Sequence, residues 1–267
     1  MHFLKTVFVL VALSSSFSWG EQAAESALVD TSSTSARLDE EDESTLQRHH
    51  PFYFAFGRPT SKLQVSFKTP IIKELPLYFG YTQFMFWALE EESKPFRDLT
   101  YNPELFYRWS QQRWRILDSI DFGVWSHTSN GKAADDSRSL NRNYVRFNFQ
   151  REGRRWITRT GVQLSYLHGF DPTNRDIQDY IGPLAFSISF IQLFDAWIDK
   201  SELALQVSPG GKFAENWDRG GYQLSWSFRL GTFDLVPAFY VQYYYGYAET
   251  LLNYDSQVSE LRGGVIF

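Results

Sequence analysis

Residues 125–142, WSHTSNGKAADDSRSLNR, bring together three side-chain types that nucleophilic catalysis uses. His127 and Ser129 are two positions apart, so in an extended strand their side chains point to the same face. A serine hydroxyl becomes a nucleophile when a neighbouring base removes its proton, and the base needs a third group that orients its ring. Asn141 can supply that third group. The alternative is a strand end that carries polar residues at an interface and has no catalytic role.

The composition narrows the class of protein. The chain has 267 residues and a formal net charge of −5, so a nucleic-acid partner, which requires a basic surface, is not indicated. The absence of cysteine excludes disulfides, thiolate metal sites and a lipidated cysteine anchor. Aromatic residues make up 18% of the chain, and charged residues make up 21%. So many aromatic residues in a polar chain are typical of a membrane β-barrel, which has an apolar outer band flanked by aromatic girdles.

The N-terminal part of the chain is expected to lie outside the folded domain. Residues 1–20 have the features of a signal peptide, with Lys5 before an apolar core at 6–13 and small residues before a cut at Glu21. Residues 21–50 are acidic and rich in serine, and we expect them to be disordered. No run of 18 apolar residues follows, so we expect no transmembrane helix.

The adjacent residues His49 and His50 raise the question of a metal site. Neighbouring side chains in an extended chain point to opposite sides, so one ion would not reach both. We therefore expect no metal site at this pair.

Residues 51–267 consist of short alternating segments separated by turn residues. In 143–150, for example, Val145, Phe147 and Phe149 are apolar and the residues between them are polar. The predicted strands are 52–57, 62–69, 77–88, 104–110, 113–126, 143–150, 155–167, 180–192, 196–207, 221–230, 234–247 and 258–267. Many of them have about the length that crosses a bilayer when tilted. The predicted fold class is therefore all-β, a single antiparallel transmembrane barrel of about twelve strands, with a soluble β-sandwich as the alternative.

The C-terminus agrees with this prediction. Leu261, Val265 and Phe267 share one parity, and the last residue is aromatic. The final strand of bacterial outer-membrane proteins commonly ends in this way, so the chain resembles that class. An ordinary edge strand that happens to end in phenylalanine is the alternative.

Four segments carry a more specific resemblance. They are YTQFMFWAL at 81–89, SKPFRDLTYNPELF at 93–106, SHTSNG…SRSLNR at 126–142 and YYYGYAETLLNYDSQ at 243–257. Together they resemble the bacterial outer membrane phospholipase A family, from about residue 78 to the C-terminus. The third segment is the most specific, because nucleophile, base, orienting amide and glycine all fall in one arrangement.

The resemblance implies a twelve-stranded barrel enzyme that hydrolyses the acyl esters of phospholipids at either position (A1 and A2) and those of lysophospholipids. It implies Ca²⁺ as cofactor, activation as a homodimer, and an outer-membrane location with the site facing the outer leaflet. It assigns His127 as general base, Ser129 as nucleophile and Asn141 as the residue that orients the imidazole. The other implied roles belong to the oxyanion donor Gly131, the calcium ligands Ser93 (from the other subunit), Lys132 (through its backbone carbonyl) and Ser137, and the dimer-interface residue Gln83.

The chain also departs from the family pattern. Thr128 stands where the family often has an acid, and Leu140 stands where it often has an aromatic residue. The acids of a second calcium site have no clear counterpart in 169–179. Two other functions remain open: a non-catalytic barrel acting as a channel or structural protein, and another barrel acyl hydrolase such as a lipid A deacylase.

Simple alternation places His127 on the wrong face of its strand. Ile120, Phe122 and Val124 are apolar, so the lipid side would carry the even-numbered residues and His127 would face inward. The family resemblance implies an outward-facing site. We therefore expect either a β-bulge near Gly123, which shifts the register, or apolar side chains inside a filled barrel.

Overall fold

The computed structural model describes residues 46–110, 116–193, 198–230 and 237–267, which lie within one compact unit. The expected signal peptide at 1–20, and residues 21–45 of the segment expected to be disordered, lie outside the described residues. No helix in the described ranges is long and apolar enough to cross a membrane.

Strands make up most of the described chain. They are β1 Gln47–Arg48, β2 Tyr53–Gly57, β3 Ser61–Pro70, β4 Leu77–Trp87, β5 Phe96–Ser110, β6 Leu117–Ser129, β7 Ser139–Glu152, β8 Ile157–His168, β9 Leu184–Ile191, β10 Asp199–Gly210, β11 Asn216–Arg229, β12 Ala238–Gly246 and β13 Val258–Ile266. Short 3₁₀ helices lie at Ala134–Asp136, Pro172–Asn174 and Ile177–Asp179.

The strands close into a barrel. All strand pairs are antiparallel, and β2 pairs with both β3 and β13. The barrel therefore has twelve strands, β2 to β13. The short β1 pairs with residues 67 and 68 of β3, beyond the part of β3 that pairs with β2. Closure gives each of these twelve strands two neighbours and leaves no free edge among them, as a lipid environment requires. The predicted fold class is confirmed.

Burial alternates along the strands as a membrane barrel requires. In β12, Tyr240 and Gln242 are buried in the interior, whereas Phe239 and Val241 are exposed on the outer face. The amide of Gln242 donates to the hydroxyls of Tyr240 and Tyr53 at 2.9 and 3.2 Å. On this strand the outer face is thus apolar, and the interior amide and hydroxyl groups bond to one another.

The interior also contains paired charges. Arg108 donates two hydrogen bonds to Asp121, at 2.6 and 2.9 Å. Lys62 and Arg262 lie 3.3 and 2.5 Å from the same carboxylate oxygen of Glu249. Side chains of this size fill much of the space inside a barrel of twelve strands.

Most strand boundaries differ from the prediction by a few residues, and β5 and β9 show two of the reasons. β5 begins at Phe96 rather than at residue 104 and continues through Pro103, which pairs with Tyr81 of β4. A proline removes one ladder donor without ending the strand. β9 is shorter than the predicted 180–192, because the residues before Leu184 follow a 3₁₀ helix and have not yet entered the ladder.

The boundary that separates residues 21–50 from the barrel domain also differs. Gln47 and Arg48 pair with β3, so the barrel sheet begins before residue 51. The chain leaves the ladder after Arg48, so the alternation of side chains does not apply to the next two residues. The rings of His49 and His50 lie together, with their centroids 4.0 Å apart. The expectation that these side chains point to opposite sides is wrong for this reason.

A β-bulge interrupts β6. The register against β7 shifts between Gly123 and Ser126, and Val124 and Trp125 are both exposed, at 59% and 41%. Before the bulge the odd-numbered Asp121 is buried, and after it the even-numbered Ser126 is buried. Of the two arrangements expected from the sequence, the structure therefore has the bulge.

Candidate active site

His127 and Asn141 are direct cross-strand neighbours on the outer face of the barrel, where β6 ends and β7 begins. His127 Nδ1 lies 2.8 Å from Asn141 Oδ1. A carbonyl oxygen can only accept, so Nδ1 donates this hydrogen bond, and in the neutral ring Nε2 is then the proton acceptor. Gly169 leaves room for this amide, because a Cβ there would lie 2.4 Å from Asn141 Nδ2. The pair therefore has the tautomer that a general base requires.

Ser129 lies on the same face as His127, at the last residue of β6. Its Oγ accepts a hydrogen bond of 3.2 Å from the backbone N–H of Gly131. A donor this close to a nucleophilic oxygen also lies near the oxygen of a carbonyl under attack. Within the described residues no hydrogen bond joins Ser129 to His127, and catalytic contacts of this kind commonly tighten only when substrate binds.

The position of Gly131 depends on the absence of a side chain. Its φ is +67°, a left-handed conformation that favours glycine, and a Cβ would lie 2.9 Å from the ring of Tyr101. Tyr101 is the cross-strand partner of Ser129 on β5, so its ring covers the turn that follows the serine. The turn is thereby fixed with its N–H toward Ser129.

Asn130 organises the loop that follows β6. It is 3% exposed, and its backbone N–H donates to Arg138 O at 3.1 Å. Its side-chain oxygen accepts from the N–H groups of Lys132 and Arg138, and its amide donates to Asp136 O at 2.8 Å. Sequence reasoning missed this role, because an asparagine in a motif gives no sign of which backbone groups it will bind.

Asn143 is a second residue that the sequence analysis missed. Its side-chain amide donates to the carbonyl oxygen of Val124, the group that the bulge removes from the ladder. Its Oδ1 accepts from His168 Nε2 at 3.0 Å. The sequence did contain one signal of this role, a polar residue at a position whose parity predicts a side chain that faces lipid. Asn143 therefore supplies the hydrogen-bond donor for the bulge that turns His127 and Ser129 outward.

Several oxygen atoms lie close together beside the loop that follows β6. Ser137 Oγ donates to Asp171 Oδ2 at 2.8 Å, and Asp171 Oδ1 accepts from the backbone N–H and the hydroxyl of Thr173 at 3.0 and 2.7 Å. Hydrogen bonds from the backbone and side chain of Thr173, followed by that of Ser137, hold the pKa of Asp171 below its usual range. Asp171 is thus an ionised acid from 169–179 that the sequence analysis did not match. Hydroxyl, carboxylate and carbonyl oxygens are the donor set that Ca²⁺ prefers.

The other residues singled out from the sequence lie apart from this group. Lys132 is in the same loop, and its Nζ is 3.5 Å from Arg97 O. Ser93 is exposed in the connection between β4 and β5, and in the described part of the chain it bonds to none of the groups above. Gln83 is on the outer face of β4, where it accepts from Tyr81 Oη at 3.1 Å. Its cross-strand partner is Tyr101.

The two departures from the family pattern both point away from the outer face. Thr128 is buried and donates to Asn102 at 2.8 Å. Leu140 is fully buried in an apolar cluster that lies behind the site. The cluster consists of Leu140, Leu167, Ile177, Leu251 and Tyr254. Both departures therefore change the packing behind the site and not the outward groups.

Comparisons with known proteins agree with this geometry. A family model described as phospholipase A1 matches residues 27–267, so the chain belongs to that family. It is 32% identical over 193 residues to a phospholipase A1 of Proteus vulgaris, covering 70% of this chain and 60% of the relative. It is 32% identical over 195 residues to a phospholipase A1 of Escherichia coli (strain K12), with the same coverage. The matched region thus spans about 60% of the length of these relatives.

Solved structures share the fold. The outer membrane phospholipase A from Escherichia coli has a TM-score of 0.68 and 25% identity, covering 85% of this chain and 93% of that chain. A Salmonella typhi outer membrane phospholipase, solved as a dimer with bound calcium, has a TM-score of 0.69 at 24% identity with the same coverage. The barrel described above is therefore an outer-membrane phospholipase barrel in its architecture.

Proposed function

We propose that this protein is a calcium-dependent phospholipase of the bacterial outer membrane, active as a homodimer. The observation that carries the proposal is the 2.8 Å bond between His127 Nδ1 and Asn141 Oδ1 on the lipid-facing side of the barrel, with Ser129 and Gly131 beside it. A site on this surface meets membrane lipids directly, whereas a site in the interior would not. The substrates are phospholipids and lysophospholipids, cleaved at their acyl esters.

The reaction begins when Ser129 Oγ attacks the carbonyl carbon of the acyl ester and His127 Nε2 takes the hydroxyl proton. The backbone N–H of Gly131 stabilises the oxyanion. His127 then gives its proton to the departing glycerol oxygen, which leaves the acyl group on Ser129. Water, deprotonated by His127, attacks that acyl ester, and the released Ser129 oxygen recovers the proton. Asn141 holds the ring throughout, although a neutral amide stabilises the imidazolium less than a carboxylate does.

The oxygen groups beside the loop fit a calcium ion. Ser137 Oγ, the backbone carbonyl of Lys132 and Ser93 of the partner subunit would hold the ion, and Asp171 would add a negative charge next to Ser137. When bound, the ion supplies positive charge that supplements the single amide donor of the oxyanion site. Because the ligands come from two chains, dimerisation completes the site, and Gln83 lies on the face where the second chain would pack.

The arrangement of the chain supports a site at the outer leaflet. Strands alternate in direction, so β6 ends at the opposite end of the barrel from the C-terminal end of β13. An exported chain that keeps its termini in the periplasm would expose this end to the cell exterior.

A matched pair of serine variants tests the proposal. Ser129→Ala removes the nucleophile and is expected to lower phospholipid hydrolysis by roughly 10³-fold or more. Ser126→Ala, on the inner face of the same strand, serves as the control and should retain activity. Hydrolysis is measured in mixed micelles with calcium and with a chelator, and heat-dependent gel mobility checks barrel folding. Full activity of folded Ser129→Ala would contradict the assignment.

The same samples separate the other candidate functions. A channel would conduct in planar bilayers, but the paired charges of the interior leave little room for ion flow. A lipid A deacylase would release acyl chains from lipopolysaccharide. We expect hydrolysis of phospholipids without release from lipopolysaccharide, and the opposite preference would favour the deacylase.

A further inference from the structure

Three side chains of types that can bind metal ions lie close together in the barrel interior, away from the candidate active site on the outer face. They belong to His49 and His50, in the connection from β1 to β2, and to Glu104 of β5. One possible ligand atom from each lies within 4.8 Å of the other two. His49 Nε2 is 2.6 Å from Glu104 Oε1. No step of the proposed hydrolysis uses these groups.

Neighbouring residues fix the three groups in place. Tyr144 Oη donates to the other oxygen of Glu104 at 2.5 Å, which orients the carboxylate. The ring of Phe106 stacks on that of His49, with centroids 5.2 Å apart. The backbone N–H of His50 donates to Ser66 Oγ at 3.2 Å. Hydrogen bonds and packing behind the ligands are characteristic of metal sites, because they set the orientation of each ligand.

The orientation of the His50 ring is not explained by hydrogen bonds within the described part of the chain. Its imidazole makes no hydrogen bond to any residue in the described part of the chain, although its ring lies next to that of His49. The hydrogen bond between His49 and Glu104 alone accounts for two members of the cluster. It leaves the third imidazole turned toward the pair without a hydrogen-bonding role.

We propose that His49, His50 and Glu104 form a binding site for a zinc-class divalent cation inside the barrel. Two imidazoles and one carboxylate suit zinc and the related ions that prefer nitrogen, whereas Ca²⁺ prefers oxygen alone. The ion would take the place of the hydrogen bond between His49 Nε2 and Glu104, and any proton that the ligating nitrogen carries would move to Nδ1 or to solvent. The bound ion ties the segment before β2 to β5 on the barrel wall.

Charges near the site set an upper limit on its affinity. Arg108 and Arg146 interact electrostatically with His50, and their positive charge opposes a bound cation. Asp121 neutralises Arg108 through two hydrogen bonds. The affinity for zinc should therefore be weaker than that of a closed structural zinc site, but the ion should be retained at equimolar concentration.

Zinc binding to the full, untagged chain in detergent tests the site. After treatment with a chelator, wild-type protein is expected to bind about one zinc per chain, and Co²⁺ in its place should give the visible absorption of a four-coordinate site. His50→Asn and Glu104→Gln should lose the zinc and the cobalt spectrum. His168→Asn, which changes a histidine on the outer face, should keep both.

Two results would overturn the proposal. One is wild-type protein that binds no zinc and gives no cobalt spectrum, a result that depends on no variant. The other is folded His50→Asn that binds as much zinc as the wild type. A large excess of Ca²⁺ should leave the bound zinc in place, and displacement by Ca²⁺ would assign the ion to the oxygen-rich loop instead.

Discussion

In the two halves of β6, residues of opposite parity face the membrane: even-numbered residues before the bulge and odd-numbered residues after it. Before the bulge, Phe122 is exposed and Asp121 is buried; after it, His127 faces outward and Thr128 is buried. Because side chains alternate with a period of two, a single extra residue moves every later side chain to the other face. The motif supplies the proposed catalytic groups, but the bulge decides whether they face lipid or the barrel interior.

The bulge has its own supports in the neighbouring strand. Asn143 donates to the carbonyl of Val124, and Gly123 leaves space for the ring of Tyr144. A Cβ at Gly123 would lie 2.2 Å from that ring, whose hydroxyl bonds to Glu104. A carbonyl that faces lipid without a hydrogen-bond partner is costly, so these contacts offset part of the cost of breaking the ladder.

Deleting Thr128 should have the largest effect, because it reverses the parity of the residue that follows it. His127 stays paired with Asn141 on the outer face, and Ser129 takes the inward position that Thr128 has now. We expect hydrolysis to fall to the level of Ser129→Ala, while heat-dependent gel mobility still reports a folded barrel. Deleting Val124 is the matched control, because it removes the extra residue of the bulge and regular alternation then still turns His127 and Ser129 outward. More than a tenth of wild-type activity in the Thr128 deletion would contradict this account.

Gly131→Ala should have the next largest effect. The new Cβ meets the ring of Tyr101 and sits at a left-handed φ, so the turn must move and take the oxyanion donor with it. Losing such a donor costs about 10²–10³ in kcat. Gly263→Ala is the matched control, because a Cβ there meets nothing within 4 Å. A Gly131→Ala variant with a normal kcat would remove Gly131 from the reaction.

Asn143→Leu should have the smallest effect of the three. It removes the hydrogen bond to Val124 O while filling a lipid-facing position with an apolar side chain. We expect kcat to fall about fivefold with KM unchanged, which corresponds to a bond of about 1 kcal/mol. Asn143→Asp should behave like the leucine variant, because a carboxylate cannot donate to the carbonyl. His168→Gln should have almost no effect on kcat. Full activity of the Asn143→Asp variant would show that another group stabilises the bulge.

Alternation and residue type were sufficient to predict the barrel, whereas the outward orientation of the site was implied only by the family resemblance. Set against that resemblance, the parity of Phe122 and Val124 left a register change before His127 as one of two expected arrangements. The contacts of Asn130, Asn143 and Asp171 could not be predicted, because each bonds to a group whose position depends on the folded loops.

The expectation that the side chains of His49 and His50 point to opposite sides was wrong for a related reason. Alternation holds only where a ladder keeps the chain extended, and the chain departs from the ladder at this point. The strand predicted from residue 104 also began too late, because cross-strand pairing carries β5 through Pro103.

The closed ladder has a consequence for how such an enzyme can be regulated. Because β2 joins β3 and β13, the wall that carries the site cannot open or slide without breaking a continuous set of hydrogen bonds. Control must then act on what reaches the outer surface, which is lipid or a second chain. If two chains complete one site, the rate at low density rises with the square of the number of molecules per unit area. Lateral crowding in the membrane would then be the physical variable that the protein senses.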